Sequence, residues 1–230
     1  MNIIGHEAER AALCRAEEQG TAAQACLFVG PRGIGKRLCA LEFASRLVGE
    51  PEFEPTFDKE HPYDVMILRP LEETKRGVTK TKSIGAAAVR EALVFLGSFP
   101  AKGQFRVLII EEAHRLSESA QNALLKTLEE PRSTAVIILV THEGGALLST
   151  VLSRVKRVRF DFLDEAVLQE AFEERYGTTA LSEVAPFFFS LGRPGLIVAA
   201  VEQPESFVTD RETLGALFRL STLSLSERLT

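Results

Sequence analysis

GPRGIGKR, Gly30 to Arg37, sits between ACLFV (Ala25 to Val29), a short apolar run of strand type, and LCALEFASRLV (Leu38 to Val48), which has helical spacing. Strand, glycine-rich loop and helix in that order aim a helix N-terminus at an anion. The pattern G-x-x-x-x-G-K-[ST] uses glycines so that successive backbone N–H groups turn inward and cradle phosphate oxygens. Gly30, Gly33 and Gly35 supply that freedom, Pro31, Arg32 and Ile34 complete the loop, and Lys36 carries a charge toward the terminal phosphates. The next position calls for a hydroxyl that ligates Mg²⁺, and Arg37 stands there instead. A guanidinium has five donors and no acceptor, so it cannot coordinate a metal. The stretch reads as a phosphate-binding scaffold poorly equipped for hydrolysis.

At 230 residues the chain holds one large domain, or a domain with a smaller companion. Hydrophobic residues at 45% and charged residues at 26% place it among ordinary globular proteins. No apolar run reaches the ~18 residues of a membrane span, and MNIIGHEAER lacks a signal-peptide layout, so a cytoplasmic location is expected. Cys14, Cys26 and Cys39 show no C-x-x-C spacing and lie in apolar-periodic segments, which predicts buried free thiols. A net charge of −5 argues against a protein that is basic all over, while leaving room for a local basic patch.

Along the chain, Glu7 to Glu18 reads as an amphipathic helix and Gly49 to Tyr63 as a loop. DVMILRP (Asp64 to Pro70) reads as a buried strand, Glu72 to Ser83 as an exposed polar loop, and Ile84 to Leu96 as a helix. A strand over Val107 to Ile110 ends in two carboxylates. Ser117 is placed to cap a helix whose apolar face is Ala120, Ala123, Leu124 and Leu128, and Pro131 stops it. AVIILV (Ala135 to Val140) and VRF (Val158 to Phe160) complete the strands. Continuous apolar strands alternating with helices predict a parallel sheet covered on both faces, an α/β architecture. Beyond Leu163 the strand signal disappears, so the expected division is 1–162 and a small all-α domain, 163–230.

In P-loop ATPases a second strand places one acid beside the magnesium and another beside the attacking water. Glu111 and Glu112 end a strand where they could do so. The first of these is usually Asp, and Glu111 is one methylene longer in a site sensitive to ångström errors.

IIEEAHRLSESAQNALLKTLEEP (Ile109 to Pro131) resembles the Walker B strand and following helix of bacterial clamp-loader subunits, members of the AAA+ family. TVLSRV (Thr150 to Val155) resembles their serine–arginine motif, and IIGHE, FVGPRGIGK and KEHPYDVMIL fit the same pattern in the same order. Among those subunits the chain is most similar to the delta prime type of DNA polymerase III. The resemblance implies an AAA+ core with a helical lid, and ATP held between neighbouring subunits. It makes Arg154 the arginine donated to a neighbour's ATP, with Ser153 helping to position its loop. Arg154 also sits in a basic cluster with Lys156, Arg157 and Arg159, so a plain surface role stays open.

The departures from the family pattern carry weight. The family's sensor 1 position aligns with Thr141 or His142, a histidine whose role is either structural or functional. In GRPG (Gly192 to Gly195), Gly195 takes the place of the sensor 2 arginine, and Val155 replaces a frequent cysteine. Between Val48 and His61 the zinc-binding cysteines of many members are missing, so neither zinc nor any other metal is expected. Arg37, Glu111 and Gly195 together favour a subunit that does not hydrolyse ATP itself and requires no cofactor, with doubtful ATP or phosphate binding at Gly30 to Arg37 and Glu111. The implied partners are gamma/tau and delta subunits, a sliding clamp and primed DNA. The chain alone is expected to be a monomer lacking the family's collar domain. Two rivals remain open: an ATP-hydrolysing gamma/tau motor using Lys36, Glu111 and Glu112, and a stand-alone phosphoryl-transfer or nucleotide-binding protein.

Overall fold

The computed structural model describes residues 3–50, 62–75, 78–182 and 191–202. Five strands form one parallel sheet: β1 (Ala25–Val29), β2 (Val65–Leu68), β5 (Arg106–Ile110), β6 (Ala135–Thr141) and β7 (Lys156–Arg159), in the order β2-β5-β6-β1-β7. Between β2 and β5 an antiparallel pair, β3 (Glu72–Lys75) and β4 (Val78–Thr81), forms a separate two-stranded ribbon.

The apolar runs divide by alternation, because successive strand residues point to opposite faces. Cys26, Phe28, Val107, Ile109, Val136, Ile138 and Val140 form one core with α1 (Glu7–Glu18) and α2 (Lys36–Leu47). Leu27, Leu108, Ile110, Ile137 and Leu139 form the other with α3 (Ala86–Leu96) and α4 (Glu118–Glu129). Each fully buried large side chain contributes about 1.5–3 kcal/mol. The parallel α/β sheet with helices on both faces is therefore as the alternating pattern predicts. Ser117 caps α4 by accepting from the Ala120 N–H at 3.2 Å.

Glu72 to Ser83 is not a plain loop, for most of it pairs as β3 and β4, with Glu73 opposite Lys80. Its polar sequence offers no apolar alternation, so pairing within the segment left no hydrophobic signature. Cys26 and Cys39 are buried free thiols, pushed by that burial to about 11 and about 12, whereas Cys14 is only partly buried. The predicted loop from Gly49 to Tyr63 lies largely outside the described residues.

The chain divides into two compact units, Met1–Asp161 and Phe162–Thr230. In the second, α6 (Glu165–Ser182) is broken at Gly177, and α7 (Pro194–Glu202) follows. Leu163 N–H donates to Gly192 O at 3.0 Å within this unit. Among the described residues no helix is long and apolar enough to cross a membrane.

Asp64 anchors the start of β2. Its buried carboxylate accepts from the Ala101 and Lys102 N–H groups at 2.9 Å and faces Arg106 Nε at 3.2 Å. Burial alone would raise its pKa, but those hydrogen bonds and the Arg106 charge hold it below the ordinary value. Asp64→Ala leaves Arg106 and two loop N–H groups uncompensated. It is expected to cost about 3–5 kcal/mol, read as a lower urea midpoint at unchanged slope.

Candidate nucleotide and arginine-finger sites

The loop from Gly30 to Arg37 connects the end of β1 to the start of α2. A Cβ at Gly30 would lie 2.0 Å from Phe160 O, so only glycine lets the loop approach the residue that follows β7. Gly35 caps α2 with φ 96°, a conformation open to glycine without strain. His6 supports the loop from outside, its Nε2 donating to Ile34 O at 2.9 Å while its ring meets Phe160 edge to face.

Lys36 is buried, and its ammonium donates to Gly30 O at 2.7 Å and to Pro31 O. Its charge is thus folded back onto the carbonyls of its own loop. Arg37 Nε lies 2.7 Å from Glu111 Oε1, and Arg69 Nε lies 3.1 Å from Glu111 Oε2. Both oxygens of Glu111 therefore face guanidinium groups, and position 37 offers no lone pair. A Mg²⁺ ion held in the usual way does not fit this arrangement.

Glu112 sits at φ 48° just past β5 and faces Arg115 Nε at 2.8 Å and Arg32 Nη2 at 3.1 Å. Burial raises its pKa, but the Arg115 hydrogen bond and the Arg32 charge outweigh it and hold the carboxylate below its ordinary range. Next to it, His114 Nδ1 lies 3.1 Å from the buried Thr141 hydroxyl, and His142 meets the His114 ring edge to face. Thr141 also accepts the Glu143 N–H at 3.0 Å. The sensor 1 region is thus a polar cluster of His114, Thr141, His142 and Glu143.

Arg154 lies elsewhere. Lys156 pairs with Cys26, so Arg154 precedes β7 at the N-terminal end of the parallel strands. The loop leaves the C-terminal end of β1, about 20 Å away along the strand at ~3.3 Å per residue. Arg154 is exposed, with Nη1 donating to Thr150 O at 2.8 Å and to Ser153 Oγ at 3.1 Å, while Nη2 faces Glu129 Oε1 at 2.7 Å. The structure thus brings Lys36, Arg37, Glu111 and Glu112 to one rim and leaves Ser153 and Arg154 at the other. Sequence reasoning missed Arg69, because its partner is 42 positions away (111 minus 69). It also missed Gln121, whose Oε1 accepts the Leu148 N–H at 2.7 Å and whose Nε2 reaches Leu116 O. A buried glutamine on the apolar side of α4 was the available signal.

Comparison with known proteins settles the kinship. The family described as DNA polymerase III, delta subunit, matches residues 5–164. The chain belongs to the clamp-loader family of bacterial DNA polymerase III. It is similar to subunit tau of Escherichia coli, at 32% identity over 179 residues, 75% of this chain and 27% of that protein. It is similar to subunit delta prime of Pseudomonas aeruginosa, at 33% identity over 143 residues, 57% of this chain and 41% of that protein. The chain thus spans well under half the length of either relative. Its fold is that of a gamma subunit-related protein from Thermotoga maritima, with TM-score 0.58 and 22% identity, covering 95% of this chain and 64% of that one. The similarity to delta prime expected from the motifs holds only at the level of this group, since tau relatives match a larger share of the chain.

The support that His6 gives the loop has a pH signature. Burial, partly offset by the hydrogen bond to Ile34, lowers its pKa below 6.5, so the folded chain favours neutral imidazole. Its stabilisation is complete above pH 6.5 and is lost as pH falls through the folded value. Melting midpoints measured from pH 7.5 down to 5 are expected to fall, and His6→Gln should make that fall shallower. His114 and His142 are also lowered, first by burial, so a residual slope remains in the variant.

Proposed function

We propose that this chain is a clamp-loader AAA+ subunit that does not hydrolyse ATP itself and donates Arg154 to ATP held by an adjacent subunit during sliding-clamp loading in DNA replication. The observation that carries this reading is the state of its own nucleotide loop. Lys36 is satisfied by Gly30 and Pro31 carbonyls, and Arg37 with Arg69 takes both oxygens of Glu111. Binding Mg²⁺-ATP in the usual way would require breaking these contacts without a hydroxyl to receive the metal. The placement of Arg154, a strand's length from that loop, supports action on a neighbour's nucleotide rather than its own. Gamma/tau and delta subunits, a sliding clamp and primed DNA are the partners this reading requires.

A second reading has its own support. The Escherichia coli tau relative aligns over 75% of the chain, against 57% for the Pseudomonas aeruginosa delta prime relative, at nearly equal identity. That favours a gamma/tau-type motor, in which Lys36 turns to phosphate, Glu111 holds Mg²⁺ and Glu112 orients water.

Two measurements separate the readings. In a reconstituted loader, Arg154→Ala should lower turnover at the site it serves by about 10³-fold. The chain alone should show no ATP turnover and no Lys36-dependent, Mg²⁺-dependent ATP binding. Mg²⁺-dependent turnover abolished by Lys36→Ala would establish the motor, and an unchanged rate for Arg154→Ala would remove the donated arginine.

A further inference from the structure

Two imidazoles and a carboxylate meet beyond the paired ends of β5 and β6. The register Ile110↔Leu139 sets these strands side by side. His114 lies in the short 3-10 turn after β5, and His142 and Glu143 directly follow β6. The two rings approach edge to face with centroids 4.2 Å apart. His142 Nε2 lies 3.2 Å from Glu143 Oε1. One ligand atom from each of His114, His142 and Glu143 falls within 4.8 Å of the other two.

These separations are close to those of a metal site. Two ligands on one tetrahedral zinc, bound at about 2.0–2.2 Å, stand about 3.3 Å apart. The His142–Glu143 pair already has that spacing, and a ring nitrogen of His114 lies within 4.8 Å of the ligand atoms of both. Thr141 supplies an outer support, because its buried hydroxyl lies 3.1 Å from His114 Nδ1 and accepts the Glu143 N–H at 3.0 Å. With Nδ1 held there, Nε2 is the nitrogen left to ligate. Such outer partners fix the ring and its tautomer for binding. Glu112 Oε2, 3.9 Å from His114 Nε2, adds negative charge nearby but is committed to Arg115.

We propose that His114, His142 and Glu143 bind a divalent transition-metal ion of the zinc class, with Thr141 positioning two of the three ligands. Imidazole with carboxylate suits zinc, nickel and copper, whereas Mg²⁺ prefers an all-oxygen octahedron. Three protein ligands leave at least one position for water. The missing cysteines between Val48 and His61 concern a different part of the chain. The site stands independently of whether the nucleotide loop hydrolyses ATP.

The test is calorimetric titration of untagged, chelator-treated protein with Zn²⁺, with the visible absorption of a Co²⁺ substitute as a second readout. One ion per chain is expected to bind, with tenfold excess Mg²⁺ failing to displace it. His142→Ala should abolish that binding, and Thr141→Val should weaken it about 10–100-fold. Glu143→Gln is isosteric and its side chain is 60% exposed, so it should weaken binding while leaving the melting midpoint in place. Cys14→Ala should change nothing. Absence of saturable binding, binding that survives both His142→Ala and Glu143→Gln, or binding lost in Cys14→Ala would each overturn the site.

Discussion

β1 lies between β6 and β7, bonded along both edges and covered on both faces, and the position of every functional group follows from that. Leu27 and Phe28 are fully buried on opposite sides of the sheet, and Phe160 N–H donates to Val29 O as the chain leaves β7. The loop after Val29 therefore starts from a strand held on both edges and both faces. Gly30 reaches over Phe160 with no room for a side chain, and Phe160 itself packs on Phe28 and His6. The backbone of a phosphate cradle is thus enforced by the core. What that cradle can do is left to the side chains around it.

Those side chains neutralise one another within the chain. Glu111 faces Arg37 and Arg69, and Glu112 faces Arg32 and Arg115, so the acidic strand end is surrounded by guanidinium groups. In a metal-dependent site an external divalent ion supplies the countercharge to such an acid. Here Arg37 projects that charge permanently from the first turn of α2. A partly buried ion pair costs desolvation on both sides, and removing one partner leaves the other charge without compensation. The Arg37–Glu111 pair therefore ties the loop after β1 to the end of β5 across the intervening β6.

Much of this was legible in the sequence because it rests on local chemistry. Apolar runs of strand length, the glycine spacing of the loop, and Ser117 three residues ahead of Ala120 each declare themselves within a few positions. The β3–β4 ribbon was not legible, since a polar segment pairing with itself has no apolar alternation to reveal it. Arg69 and Gln121 escaped for a different reason. Their roles arise from contacts across the fold, and nothing in VMILRP announces that its arginine turns toward Glu111. The chemistry of Glu111 was readable from its position, whereas its environment required the sheet order.

α4 runs between the two rims of the sheet. It is capped by Ser117, shortly after Glu112, and ends at Glu129, which faces Arg154. At ~1.5 Å per residue its 12 residues span about 18 Å. Gln121 bonds the first turns of this helix to Leu116 and Leu148, the segments entering α4 and α5 (Ser149–Leu152). Helix, glutamine and ion pair therefore make a continuous strut from the segment after β5 to Arg154. A displacement of Glu112 or its neighbours has a rigid route to Arg154, because a capped helix buried along Ala120, Leu124 and Leu128 transmits motion as a body rather than absorbing it.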